Sequence, residues 1–390
     1  MNVLILNAAN TYNYGSMMMA ENLIYYSKKY NDSIKFYVMA DALHTDRLRN
    51  ASTIDDITPV SLEQLLWCGS VRAAMYLSRM GIPVASALMR SMDRVYFLGG
   101  DDFTEIYGRA QLEFCLQLVS MLKSKRNCFA LVGQTVGPFG KDIEQKALSV
   151  FRRMDMISLR DPESMEYMKN AGMRNIESVT DLALLPLAKE GSQESVSGNT
   201  VLFCPSQIMH SYAKVADQDS FKLLNEKICR YILQARPDFR IVVLAHVYDD
   251  RTRGDVAMAE DLYGRLADFG SRVELIRGPV YPYEVRQIIK GSAFIVAERM
   301  HPAISGLECV TPSLVFSYGR KYEGIFEKLY ALDKTVIDMR KYDDYELLWQ
   351  DVRAALDYIM AHERQLREHI AQVNAQTQPQ ALKHIEQLAR

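Results

Sequence analysis

The chain has 390 residues, of which 48% are apolar and 24% charged, and a net charge of −2. This balance is ordinary for a globular protein, leaves room for two domains, and gives no support for a nucleic-acid binder. Six cysteines are scattered without a CxxC pair or a cysteine–histidine metal spacing, so they are expected as reduced, mostly buried thiols of a cytosolic protein.

In chain order, Val3 to Leu6 reads as a first apolar strand, followed by a loop from Asn7 to Gly15. Asn7, Asn10, Asn13 and Gly15 interrupt any signal-peptide core, and no apolar run is long enough to span a bilayer. Ser16 is expected to cap a helix that runs to Tyr30. Strands follow at Lys35–Met39, Val95–Leu98, Cys128–Val132 and Met156–Leu159, with helices at Ala110–Lys125 and Ile143–Arg153 between them. Asp161-Pro162-Glu163 has the chemistry of a helix start: a cap, a proline in the first turn, and an acid near the positive end. Asn175 to Asp181 reads as a strand ending in a carboxylate. The segment from Glu190 to Asn199 has no apolar period and reads as a linker.

A second alternation begins at Thr200–Cys204 and continues through a helix at Phe221–Gln234, a strand at Arg240–Ala245 and a helix at Val256–Phe269. Val273–Ile276, Phe294–Ala297 and Ser313–Phe316 are further strands, with a helix at Pro282–Lys290. Leu347 to Ala375 is helical. Short buried strands alternating with longer helices imply parallel sheets. The expected architecture is α/β, with two Rossmann-like domains facing across a cleft. The expected divisions are an N-terminal domain over 1–190, a C-terminal domain over 200–345, and a helical segment over 346–390 packing across the junction. Ligands in such sheets lie beyond the carboxyl ends of the strands.

Leu65 to Arg94 mixes Trp67, Val71, Met75, Leu77 and Ile82 with Arg72, Arg79, Arg90 and Arg94. Two readings stay open: a basic apolar surface on an anionic membrane interface, or a buried helical pair with solvated arginines.

The most informative run is Glu298-Arg299-Met300-His301-Pro302, between an apolar strand and a short helical stretch, Ala303 to Cys309. Pro302 fits a first helical turn, and Arg299 and His301 then stand beside free backbone donors that favour an anion. No Rossmann GxGxxG, Walker or HExxH sequence is present, which removes support for nicotinamide, ATPase and zinc-protease readings.

Several motifs recur in a fixed order: Asn13-Tyr14-Gly15, Gly99-Gly100, Gly133-Gln134 with Gly137-Pro138, Ser158-Leu159-Arg160-Asp161, Thr180-Asp181, Glu298-Arg299-Met300-His301, and Ser317-Tyr318 with Lys321. In these the chain resembles the polysaccharide pyruvyl transferases over residues 7–325. It departs from the family pattern at Ser16, where an aspartate is usual, at Asp101, where a third glycine is common, and at Met300, in place of leucine. The resemblance implies a fold like that of the GT-B glycosyltransferases and transfer of the pyruvyl unit of phosphoenolpyruvate onto two sugar hydroxyls. The product is a ketal, phosphate is released, and no cofactor or metal is needed.

Phosphoenolpyruvate carries a phosphate and a carboxylate, which planar guanidinium groups match well. Arg299 and Arg160 match the family's donor contacts; Arg160 could alternatively pair with Asp161 or Glu163. His301 matches the family's active-site histidine; histidine as a residue type can titrate near neutral pH, and the roles open to it are general acid, phosphate ligand or helix cap. Glu298 is expected either to point to the opposite face of the strand from His301, or to orient His301 or pair with Arg299. Asp181 is a candidate to accept from a sugar hydroxyl, act as base or bind an arginine, and Asn13 to contact sugar or phosphate or to form an Asx-turn. Gln134, Tyr318 and Lys321 are further binding candidates, as is His246 with Asp250 four residues on; His210 is less specific. The expected partners are phosphoenolpyruvate and a saccharide acceptor, with a lipid-linked acceptor and peripheral contact with the inner membrane allowed. Nucleic acid is not among them. The rival readings are a GT-B glycosyltransferase with a nucleotide-sugar donor and a non-catalytic saccharide-binding relative.

Overall fold

The computed structural model describes residues 1–190, 198–212, 214, 218–248 and 254–390. Most of the expected linker, and Asp250, lie outside these residues.

Among the described residues, thirteen strands form two sheets in which every pairing is parallel. The first sheet holds β1 (Asn2–Leu6), β2 (Lys35–Met39), β3 (Ile57–Val60), β4 (Arg94–Leu98), β5 (Cys128–Gln134), β6 (Met156–Leu159) and β7 (Ile176–Ser178), in the order β3-β2-β1-β4-β5-β6-β7. The second holds β8 (Thr200–Cys204), β9 (Arg240–Leu244), β10 (Val273–Ile276), β11 (Ser292–Ala297), β12 (Ser313–Ser317) and β13 (Val336–Asp338), in the order β10-β9-β8-β11-β12-β13. Central strands are buried along their length: Val3, Leu4, Ile5 and Leu6 of β1 have no exposed surface. That is the reason they read as continuous apolar runs rather than alternating ones.

The chain divides into two compact units. One comprises Met1–Thr11, Ser16–Leu182 and Pro379–Arg390; the other comprises Tyr12–Gly15 and Ala183–Gln378. Each unit carries one Rossmann-like sheet, and each sheet reverses its strand order once, between β1 and β4 in the first and between β8 and β11 in the second. Crevices at such reversals are where this architecture binds ligands.

Local chemistry explains several element ends. Asp161 caps the helix Pro162–Asn170, its carboxylate accepting from the Ser164 N–H at 2.8 Å. Glu284 reaches back to the Tyr281 N–H at 2.6 Å and closes the start of the helix Pro282–Lys290.

Some expectations need correction. The first helix begins at Tyr14, so Ser16 lies inside it and is not its cap. The strand expected over Asn175–Asp181 shortens to β7, leaving Asp181 in a loop. The helix expected to run to Phe269 ends at Arg265; a tighter turn with Gly270 at φ 55° follows. The helix Tyr345–Ala389 runs beyond Ala375, with a break at His362. β3, β13 and the helix Ala42–Ser52 carry too few apolar residues to announce themselves; β3 includes Pro59, tolerated because β3 lies at the sheet edge. The segment 65–94 follows the helical reading in part, with helices at Val71–Arg79 and Ala87–Arg90 and with Arg72, Arg79 and Arg90 exposed. Leu65, Leu66, Ala74, Val84, Met89 and Met92 enter the core of the first unit, while Trp67, Tyr76, Met80 and Ile82 remain exposed. No helix among the described residues is long and apolar enough to cross a membrane.

Candidate functional site

In the second unit, β11 delivers Glu298 and Arg299 at its carboxyl end, and the helix Met300–Glu308 starts at once. Arg299 occupies the position before that helix with extended backbone, φ −123°. Its guanidinium lies against Asp255 through two bonds, Nε to Oδ2 at 2.5 Å and Nη2 to Oδ1 at 2.9 Å. Asp255 stands in the first turn of the helix Gly254–Arg265 and is fully buried, while part of the Arg299 side chain remains exposed. Burial disfavours the charge, but Asp255 more than offsets it and keeps Arg299 cationic. A bidentate pair fixes the plane of the guanidinium, which is what recognition of an oxyanion requires.

Glu298 is neither beside His301 nor paired with Arg299, two of the roles open to it. It is completely buried, and its Oε2 accepts from the Ser206 N–H at 2.5 Å. This bond joins the segment after β8 to the segment after β11, across the strand-order reversal of the second sheet. Burial pushes the Glu298 carboxyl well above its usual range.

His301 is half-buried in the first turn of the helix Met300–Glu308. Its ring lies against Gly15, where a Cβ would fall 2.2 Å from both Cγ and Nδ1. The neighbouring Tyr14 is buried and meets His246 edge-on, with ring centroids 5.3 Å apart, and its hydroxyl accepts from the Val280 N–H at 2.9 Å. Asn13 forms a bridge with Val247, and the Tyr14 N–H donates to the His246 carbonyl. Tyr12–Gly15 is thus stitched to the segment after β9. Burial, with His301 and Arg299 nearby, pulls the His246 imidazole well below its usual range and leaves it neutral.

After β12, Tyr318 stacks on Tyr212 at 4.7 Å, and Lys321 donates to the Tyr318 hydroxyl at 3.3 Å. Both residues are buried. The second unit therefore collects Asn13, His246, Glu298, Arg299, His301, Tyr318 and Lys321 within one unit, around the carboxyl ends of β8, β9, β11 and β12.

In the first unit, Arg160 follows β6. It pairs with Asp181 at 2.7 Å and donates to the Thr135 hydroxyl at 3.0 Å. The partner is neither Asp161, which caps its own helix, nor Glu163. Both side chains of the pair are buried, with 1% and 0% exposed. Burial works against the Arg160 charge, and Asp181, Asp101 and Asp161 outweigh it. Gln134 is fully buried and donates to the Phe97 carbonyl at 3.0 Å.

Two residues of chemical interest escaped the sequence reading. Asp255 has no motif, and only its place in the acidic first turn of a helix marks it. Asp102 follows Gly99-Gly100 at the end of β4 and accepts from the Asn7 side chain at 2.8 Å, while Asn7 also donates to the Leu98 carbonyl at 3.2 Å. Asn7 follows β1 with φ 63°, so this pair spans the strand-order reversal of the first sheet. Burial, with Asp101 beside it, pushes the Asp102 carboxyl up to about 6. That value suits proton transfer near neutral pH. The signal available in the sequence was a carboxylate next to a glycine pair after a strand.

Glu190, Glu308 and Cys309 also cluster, but protein cations already meet their charge. Arg286 approaches Glu190 at 3.0 Å and Glu308 at 3.3 Å, and Lys290 approaches Glu190 at 2.9 Å.

Among solved structures, the fold is similar to a putative UDP-N-acetylglucosamine 2-epimerase from Listeria monocytogenes, with TM-score 0.59, 13% identity, and coverage of 95% of this chain and 90% of that one. It is also similar to the S. aureus MnaA–UDP co-structure, with TM-score 0.58, 12% identity and the same coverage. At such identities the likeness shows the fold alone, a GT-B-like chain with two Rossmann-like units. In sequence the chain is 23% identical over 310 residues to the amylovoran biosynthesis protein AmsJ of Erwinia amylovora, covering 73% of this chain and 70% of that protein. The profile of the family described as polysaccharide pyruvyl transferase matches residues 13–320, a span that contains every site residue above except Asn7 and Lys321. The chain belongs to the polysaccharide pyruvyl transferase family.

Proposed function

We propose that this chain transfers the pyruvyl group of phosphoenolpyruvate to a saccharide, forming a pyruvate ketal during synthesis of a surface polysaccharide. The observation that carries this reading is the arrangement around Arg299: a guanidinium oriented by Asp255 at a helix start, with His301 two residues on. The second unit, 200–345 in its main part, is the donor side. Arg299 and the N–H groups opening the helix Met300–Glu308 hold the phosphate or carboxylate. Lys321 adds positive charge, and Tyr318 and Asn13 offer polar contacts.

His301 acts as general acid. It gives a proton to the methylene carbon, whose π electrons form the new C–H bond and leave oxocarbenium character at the adjacent carbon. The first sugar hydroxyl bonds there and releases its proton. The C–O bond to phosphate then breaks, phosphate taking the electron pair, and the second hydroxyl closes the ketal. Of the two hydroxyl protons, one restores His301 and the other passes through Asp102 to the departing phosphate. His246, neutral and buried, and Tyr14 position the His301 region, and Glu298 braces the strand ends beneath Arg299.

The first unit is the acceptor side. Arg160 and Asp181 neutralise each other and position the loops around Gln134. The role of proton acceptor is assigned to Asp102, held at the sheet reversal by Asn7, because Asp181, one of the candidates for it, is buried against Arg160. The acceptor is a lipid-linked saccharide, and the protein works at the inner face of the membrane.

The test is incubation of purified protein with phosphoenolpyruvate and a mixture of saccharides, reading phosphate release and pyruvylated products by mass spectrometry. Saturable phosphoenolpyruvate binding that survives His301→Ala, with turnover lost, supports the scheme. Equal loss of binding and turnover removes the proton-transfer role.

A further inference from the structure

A second feature lies at the other end of the first sheet. A cavity of about 990 Å³ opens at the amino ends of β5 and β6, lined by residues that precede these strands, Asn127 and Asp155, and by the helices Arg109–Leu122 and Lys141–Phe151. It therefore lies away from Arg160, Gln134 and Asp102, which stand at or beyond the carboxyl ends of the strands. Its wall includes five cationic side chains: Arg79, Lys123, Lys125, Lys146 and Arg153. The single acid in the wall, Asp155, is already engaged by Lys123 at 2.7 Å and by the Phe129 N–H. Outside the wall, Glu113 feels Lys146 and Arg79 but pairs with Arg109 at 3.0 Å. The cavity thus carries a clear excess of positive charge in a chain whose net charge is −2.

The floor is apolar, formed in part by Ile82, Pro83, Val84 and Leu116. Beside it, the segment from Trp67 to Ile82 holds four of the nine large apolar side chains exposed among the described residues: Trp67 at 55%, Tyr76 at 66%, Met80 at 60% and Ile82 at 38%. Trp67 is held in place by donating its indole N–H to the Pro83 carbonyl at 2.8 Å, and Arg79 is held over the cavity by Gln117 at 3.1 Å. Singly exposed apolar residues need no explanation, but a concentration of them beside a cationic hollow does. Apolar and aromatic side chains that enter the headgroup boundary, next to lysines and arginines that meet anionic lipid, are the two elements of interfacial binding.

We propose that this face of the first unit docks on an anionic lipid bilayer, with the cavity receiving the phosphate of a lipid headgroup and Trp67, Tyr76, Met80 and Ile82 entering the boundary region. The proposal deepens the reading that the acceptor is lipid-linked and rests on it for its purpose, but the binding itself requires no turnover. Because the cavity lies at the amino ends of the strands, it serves anchoring and not chemistry.

Flotation of the full chain with vesicles tests it. The wild type is expected to float with phosphatidylglycerol–phosphatidylcholine vesicles at low salt, at least tenfold more than with pure phosphatidylcholine, and to detach as salt rises. The triple variant Arg79→Gln, Lys125→Gln, Lys146→Gln should lose at least tenfold in binding. Met80→Ser with Ile82→Ser should lose binding at every salt concentration. All five positions are exposed, and circular dichroism checks that folding is retained. Absence of flotation, equal flotation with neutral vesicles, or wild-type binding by the triple variant would overturn the proposal. Binding of glycerol 1-phosphate without flotation would also overturn it, marking a site for a soluble anion. Phosphate release with a soluble acceptor is a separate readout, so failure to dock is distinguishable from failure of the transferase reading.

Discussion

Gly15 lays its bare Cα against the ring of His301, leaving no space for even one methyl group: a Cβ there would stand 2.2 Å from Cγ and from Nδ1. The glycine of the first-loop motif and the histidine of the late motif are therefore one device, in which absence of a side chain sets the position of the imidazole. Gly15→Ala must displace the ring or the helix start that carries it. A shift of about 1 Å in a reacting group can cost about a hundredfold in rate. Gly15→Ala should lower kcat by about that factor while phosphoenolpyruvate binding changes little, and Gly15→Ala with His301→Ala should be no worse than His301→Ala alone. Wild-type kcat in Gly15→Ala would contradict the arrangement.

Asp255 and Arg299 act as a unit. Arg299→Lys keeps the charge but loses the planar pair of donors, and should raise KM for phosphoenolpyruvate by about tenfold to a hundredfold, as expected when a charged hydrogen bond worth about 1.5–3 kcal/mol is lost. Asp255→Asn should raise KM similarly by releasing the guanidinium. Calorimetric titration of phosphoenolpyruvate into each variant checks this, and unchanged affinity in both would remove Arg299 from the donor site.

The Arg160–Asp181 pair separates structure from chemistry. Arg160→Ala strands a buried carboxylate and should destabilise the protein by about 3–5 kcal/mol, whereas Arg160→Met with Asp181→Leu should recover most of that. Chemical denaturation gives the stabilities. If the pair only positions loops, the double variant also recovers part of the activity; if Arg160 contacts the donor, activity stays lost while stability returns.

Asp102 gives turnover a pH dependence. Its carboxyl, raised to about 6, accepts protons only above that value, so kcat should climb as pH rises through 6 and level off beyond. Asp102→Asn should abolish this limb and reduce the plateau about a hundredfold or more. A limb that persists in Asp102→Asn belongs to another group.

Acid should weaken the first unit through His384. This residue is buried, and burial pulls its imidazole down to about 4 despite Glu177 at 3.6 Å. Between about pH 6.5 and pH 4 the unfolded chain binds a proton there that the folded chain does not, so stability falls as pH drops through that window. The contribution is fully present above pH 6.5. His246, also pulled down by burial, acts in the same direction in the second unit. His384→Gln should flatten the acid limb of a plot of Tm against pH; an unchanged slope would show that His384 does not set it.

Much of the fold was legible because parallel strands are buried on both faces and helix starts have local chemistry. β2, β6, β8 and β10 fall where the apolar runs placed them, as does the helix Pro282–Lys290 with its proline and glutamate. β3 and β13 were not legible: β3 contains Pro59 and an exposed Thr58, and β13 is only three residues long. Within the candidate site, Arg299 and His301 could be named because they share one strand–helix junction. Asp255 could not, being 44 residues from Arg299 with no local sign of the pairing.

What the chain declares by itself is therefore local: which stretches are strands or helices, and which junctions carry groups able to meet an anion. What only the tertiary structure decided is which charges remain available once those junctions are brought together. Arg160 was spent on Asp181, Glu298 was drawn inward to Ser206, and Asp102 was set against Asn7 at the sheet reversal. The reason is that a buried charge must find a partner, and the parallel topology chooses that partner from residues distant in sequence.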